Sequence, residues 1–193
     1  MSKSLGNSPD PIGLIEKYGA DGVRVGMLLC SPAGNDLMFD ESYCEQGRNF
    51  ANKIWNAFRL IKGWEVGEGE SSASAIRWFR SRLNAATVEL NDHYEKFRMS
   101  DALLVTYNLI WNDFCSHYLE MVKPAYIDGK GQAIDKTTYE ATLEFFDELM
   151  RMAHPWIPFI SEEIWQNLIE RKENDSICIQ EFPKGGEIDK ETL

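Results

Sequence analysis

The sequence predicts an all-α fold, a helical bundle preceded by a small irregular N-terminal segment. Three observations predict it. Four long stretches repeat apolar residues at helical spacing, and two linkers rich in Gly, acids and polar residues separate them. Hydrophobic residues make up 44% and aromatics 12% of the 193 residues, enough to bury a core of that kind.

In chain order, a loop opens the sequence, followed by a short helix near residues 11–18 and another near 21–30. Residues 31–41, SPAGNDLMFDE, read as irregular, with Pro32 and Gly34 as breakers. In the first long helix Phe50, Ile54, Phe58 and Ile61 step by 4, 4 and 3. In the second, Ile76, Phe79, Leu83, Ala86, Leu90 and Phe97 share one face. Leu103, Tyr107, Ile110, Phe114, Tyr118 and Met121 form the third stripe, and Tyr139, Leu143, Phe146, Met150 and Ala153 the fourth. Residues 63–72 and 123–132 are the linkers. A fifth helix is expected after HPWIP, with Ser161 as N-cap and Glu162 and Glu163 in its first turn. SICIQEF reads as a short strand. The expected division is an N-terminal loop and link over 1–42, the bundle over 43–183, and a tail over 184–193.

Several function classes drop out. No run of eighteen apolar residues suggests a membrane span, and MSKSLGNSPDP lacks the apolar region of a secretory signal. Cys30, Cys44, Cys115 and Cys178 form no CxxC pair, which suits free thiols in a reducing cytosol. His93, His117 and His154 stand far apart, with no carboxylate or cysteine at ligand spacing, so no metal site is expected. The net charge of −11 argues against nucleic acid, but its distribution does not. Residues 46–82 carry Arg48, Lys53, Arg59, Lys62, Arg77, Arg80 and Arg82 against Glu65, Glu68 and Glu70. That stretch is +4 and the remainder −15. Salt confines each field to about 8–10 Å, so an acidic chain can still meet RNA at one basic stretch.

Two segments carry chemistry. Ser2, Lys3 and Ser4 open a loop whose small residues can approach phosphates, with a lysine to meet charge on a pyrophosphate; a solvated loop is the simpler reading. In GRNFANKIWNAFR, Arg48, Asn52, Asn56 and Arg59 form a stripe opposite the apolar face, with Lys53 beside it. Such side chains suit phosphate, ribose and base edges, and they equally suit a plain solvated face. If the first two bundle helices are antiparallel, Arg77, Arg80 and Arg82 prolong this stripe.

MSKSLGN followed by a proline-bearing turn and IEKYGADGVR resembles the KMSKS signature of class I aminoacyl-tRNA synthetases and the helix after it. GRNFANKIWNAFR resembles the first bundle helix of the valyl, isoleucyl and leucyl group. WNDFCSHYLEMVKP and SPAGNDLMFDE resemble the valyl branch, and HPWIPFISEEIWQ is shared more widely in the class. The resemblance covers residues 1–183 and implies a tRNA- and anticodon-binding bundle of an enzyme that attaches valine to tRNA(Val) with ATP and Mg2+. It implies a transition-state role for Lys3, ATP contacts at Ser2 and Ser4, and tRNA contacts at Arg48, Asn52, Lys53, Asn56, Arg59, Arg77 and Arg80. The family's first signature lysine would precede Met1, and its HIGH motif is absent, so the chain by itself is expected to bind and orient tRNA without activating valine. A cytoplasmic monomer is expected. The alternatives are an isoleucyl or leucyl relative, or a helical module that binds protein.

Overall fold

The computed structural model describes residues 8–31, 34, 38–127 and 130–193, so the loop residues Ser2, Lys3 and Ser4 and part of the irregular segment lie outside the described residues. Helix α1 (Pro11–Leu29) starts where Asp10 accepts the backbone N–H groups of Ile12 and Gly13 and Pro11 takes the first position. The two short helices expected there are the halves of α1. They meet at a kink at Gly19, whose φ of 76° and ψ of 158° only glycine adopts easily.

Helix α2 (Ser42–Lys62) buries Phe50, Ile54, Ala57, Phe58 and Ile61, as its stripe predicts. It crosses α1 at backbone contact. Gly22 and Gly26 of α1 face Gly47 and Cys44 of α2, and a Cβ on Gly47 would lie 2.5 Å from the Gly22 carbonyl oxygen. Helix α3 (Ala73–Glu95) buries Phe79, Leu83, Ala86 and Leu90. Phe97 does not continue this stripe. The helix ends at Glu95, the chain turns through a φ of 55° at Phe97, and that ring is 82% exposed.

Helices α4 (Met99–Asn108) and α5 (Leu119–Val122) are joined without a break by a π-helical stretch, Leu109–Tyr118. Its wider turns hold more residues each, so the apolar face drifts from the α-helical register. Leu119 and Val122 are buried in consequence, and Met121, expected in the core, is exposed. Helix α6 (Lys136–Ala153) begins where the Asp135 side chain accepts the Thr138 N–H. Rings from α3, the π stretch and α6 form the centre of the core. Phe79 lies 5.2 Å from Phe114, 5.0 Å from Tyr118 and 5.0 Å from Phe145, and Phe114 stacks on Phe146. Aromatic pairs at such spacing add about 0.5–1.5 kcal/mol each beyond burial.

Helix α7 (Pro158–Leu168) starts a turn earlier than expected, with Pro158 in its first turn. Ser161 is thus a buried interior residue and not the cap. The capping carboxylate comes from α1: Asp21 accepts the N–H groups of Phe159 and Ile160, at 3.3 and 2.8 Å. Arg24, three residues on, donates to the carbonyls of Pro155 and Trp156.

Both linkers contribute short strands. Strand β1 (Val66–Gly67) lies parallel to β4 (Ile134–Asp135), with Val66 opposite Ile134; β2 (Tyr126–Ile127) and β3 (Lys130–Gly131) form an antiparallel pair. The expected C-terminal strand is instead a 3-10 turn, Ile177–Ile179. Residues 184–193 run along α3, where Asn84 donates to the Glu187 carbonyl and the Asp189 N–H to Ser81. No helix among the described residues is long and apolar enough to cross a membrane.

Candidate nucleic-acid interface

The sequence-predicted residues separate into two groups. Helix α2 packs on α1, the π stretch and α7, whereas α3 packs on α4, the π stretch and α6. The main packing partners of the first two bundle helices thus differ, and both helices rest on the π stretch. The arginines of α3 do not prolong the α2 stripe. They make ion pairs with acids that the sequence places far away. Arg80 joins Glu144 and Glu148 of α6 and lies 4.6 Å over the Phe145 ring. Arg82 pairs with Asp113 at 2.7 Å, and Arg77 with Asp189 of the tail at 3.6 Å.

On α2, Arg48 sits at the junction with α1, paired with Glu45 and beside the Tyr18 ring. Asn52, Asn56 and Arg59 are exposed, and among the described residues none of them has a side-chain hydrogen bond or ion pair. Lys53 stands 4.3 Å over Trp111 and donates to Ser116 at 3.0 Å. Trp111 stacks on Tyr107, which packs on Phe50, so the ammonium is held on a column of rings rooted in the core. Lys62 donates to the Leu168 carbonyl at the C-terminus of α7.

Two clefts adjoin this row and share Leu60. The smaller, about 180 Å³, is lined by Lys53, Asn56, Ala57, Leu60, Cys115 and Leu119. Burial in it pushes the Cys115 thiol up to about 12. The larger, about 330 Å³, lies between Leu60, Trp64, Lys123, Pro124, Tyr126 and Gln132. The Tyr126 ring is 77% exposed at its mouth. A row of amide and guanidinium donors leading to the exposed Tyr126 ring and the half-buried Trp64 ring suits single-stranded RNA, because phosphates bind such donors and bases stack on such rings. Trp64, Lys123 and Tyr126 lie in the segments read as linkers. The available signal was an aromatic residue in each, beside Gly63 in one and Lys123-Pro124 in the other.

Of the histidines, His93 faces Glu89 at 3.8 Å and His117 faces Asp113 at 4.0 Å. His154 departs from the sequence reading, since the fold brings Cys178 and Glu162 to it. All four cysteines are free thiols.

A family model for the anticodon-binding domain of tRNA ligases matches residues 76–193. Curated relatives include the valine–tRNA ligases of Parabacteroides distasonis, 55% identical over 197 residues, and Phocaeicola vulgatus, 58% identical over 185 residues. The corresponding ligase of Fusobacterium nucleatum is 38% identical over 193 residues. These alignments cover 100%, 94% and 95% of this chain and 22%, 21% and 22% of the relatives, so the chain spans about a fifth of their length. Among solved structures, the ternary complex of Agrobacterium radiobacter LeuRS with tRNA and LeuAMS matches with a TM-score of 0.65. At 21% identity over 100% of this chain and 22% of that one, the match is a likeness of fold.

Proposed function

Given that the chain belongs to the anticodon-binding domain family of tRNA ligases, we propose that it is the tRNA-binding part of a cytoplasmic, monomeric valine–tRNA ligase, and that it grips tRNA(Val) along α2. The observation that carries this reading is the exposed row Asn52, Asn56 and Arg59, which leads to two clefts joined at Leu60. Lys53 would meet a phosphate from its ring column, and Tyr126 and Trp64 would stack on bases. Arg77, Arg80 and Arg82 are assigned to holding the bundle, because each is already neutralised by an acid.

The valyl assignment is supported by relatives at 55–58% identity that are valine–tRNA ligases. In the proposed whole enzyme, ATP with Mg2+ and valine are substrates of a domain outside this chain. Ser2, Lys3 and Ser4 belong to the link over 1–42 and would contact ATP, with Lys3 meeting charge on the leaving pyrophosphate. Residues 43–183 would form the RNA-binding bundle, and the tail over 184–193 would lead on from it.

The test is a titration of the chain with tRNA(Val) at two salt concentrations, comparing Arg59→Glu with the exposed control Glu163→Lys. Arg59→Glu should weaken binding at least tenfold and reduce the salt slope, which is about 0.7–0.9 log unit per decade of salt for each phosphate contact. Unchanged affinity for Arg59→Glu, with a change in the control alone, would place the RNA face elsewhere.

A further inference from the structure

Three side chains that are well separated in sequence meet at the corner between α6 and α7, away from the α2 face. His154 caps the end of α6, Glu162 lies in α7, and Cys178 lies in the 3-10 turn. One ligand atom from each lies within 4.8 Å of the other two. The His154 Nε2 is 3.1 Å from the Cys178 Sγ.

Each of the three is held by neighbours. The Ser161 hydroxyl, fully buried, lies 2.8 Å from His154 Nδ1 and 3.3 Å from the Pro158 carbonyl; when it donates to that carbonyl it accepts the Nδ1 proton. With the proton on Nδ1, the lone pair of Nε2 points at the thiol, which donates to it. Glu162 receives Ser176 Oγ and Gln166 Nε2 at 2.8 Å and the Ile177 N–H at 3.3 Å. The Cys178 N–H donates to Ser176, which ties the turn to the same cluster.

We propose that His154, Glu162 and Cys178 form a binding site for a zinc-type divalent cation, with the metal taking the place of the thiol proton. One nitrogen, one sulfur and one carboxylate oxygen are the donors that Zn2+ selects. On binding, the Cys178 S–H bond breaks, its proton passes to solvent, and the thiolate and the Nε2 lone pair both bind the metal. Tetrahedral zinc with bonds of about 2.0 Å to nitrogen and 2.3 Å to sulfur sets the two atoms about 3.5 Å apart, so Nε2 and Sγ need to separate by only a few tenths of an ångström. Water would fill the fourth position. The hydrogen bond from Nδ1 to Ser161 is the outer partner that fixes the ring for its ligand role. The bound ion would fasten the 3-10 turn to the α6–α7 corner, which Asp21 and Arg24 brace from α1.

The experiment titrates the 193-residue chain, freed of metal by a chelator and kept reduced, with Co2+ and then Zn2+. The expected result is one Co2+ per chain with a thiolate-to-cobalt charge-transfer band, bleached by stoichiometric Zn2+. Cys178→Ser, an exposed position that tolerates the change, should abolish the band while leaving the circular dichroism spectrum unaltered. Ser161→Ala should weaken Zn2+ binding about 10–100-fold. No stoichiometric uptake, a band that survives Cys178→Ser, or uptake with no thiolate band would each overturn the proposal.

Discussion

Gly47→Ala tests the closeness of the α1–α2 crossing. A methyl group there would lie 2.5 Å from the Gly22 carbonyl oxygen, 2.9 Å from the Val25 Cβ and 3.0 Å from the Gly22 Cα. These separations are about 0.5–1 Å inside ordinary contact, and two of the three atoms are backbone. No rotamer change can relieve the overlap, so α1 must move as a body. Overpacking of this kind costs about 1–3 kcal/mol, and the backbone neighbours put this site at the upper end. Alanine returns about 1 kcal/mol through helix propensity. The net loss should be about 2 kcal/mol, or a fall in Tm of about 4–8 °C for a chain of this size. Gly131→Ala is the control, because a methyl group there meets nothing within 4 Å and should change stability by less than about 0.5 kcal/mol. Thermal and urea denaturation followed by circular dichroism would measure both. A Gly47→Ala variant as stable as the wild type would refute the close crossing.

Two further perturbations address titratable groups. Burial raises the Asp21 carboxyl above the usual carboxylate range, against the pull of the Phe159 and Ile160 N–H groups. The folded state therefore favours the protonated form. This contribution is fully present below the unfolded value of about 3.9 and is lost as pH rises through the folded pKa. Asp21→Asn removes that titration, so its stability relative to wild type should improve between pH 4 and pH 7 in urea denaturation. A difference that stays flat or moves the other way would contradict the assignment. The Cys115 thiol, pushed up to about 12, should hold about one thiolate in 10,000 at pH 8. Iodoacetamide on the folded chain should therefore modify exposed Cys178 first and Cys115 about a thousandfold more slowly than an ordinary thiol; mass spectrometry showing Cys115 labelled first would count against its burial.

What the sequence revealed and what it hid follow from the range of the interactions. The stripes through Phe50–Ile61 and Phe79–Leu90 were legible because a helix repeats its buried face every three or four residues. Near the N-terminus the sequence reading gives two short helices over 11–18 and 21–30, and the fold joins them into one helix kinked at Gly19. The β1–β4 pairing was not legible, since two-residue strands carry no period and Val66 meets Ile134 only through the fold. The start of α7 was misjudged because its cap, Asp21, lies 138 residues away from Phe159. The same limit governs the candidate sites. Asn52, Asn56 and Arg59 share a helix and stay exposed as expected, while the charge counted on Arg77, Arg80 and Arg82 is cancelled by acids from α6, the π stretch and the tail. Ligand spacing along the chain likewise could not show that His154 meets Cys178 across a turn.

The π-helical stretch makes the length of the continuous helix from α4 to α5 a setting of angle. Each α-helical residue advances the face by about 100°, and the wide turns of Leu109–Tyr118 absorb residues without that advance. Removing one residue at exposed Asn112 would let the ladder close as an ordinary α-helix. Everything after it would then rotate about its own axis, exchanging the burial of Leu119 and Val122 for that of their neighbours. The direction in which Lys123, Pro124 and Tyr126 leave the bundle would swing with it. The mouth of the larger α2 cleft is thus aimed by a residue count made earlier in the chain, at a place that the cleft never touches.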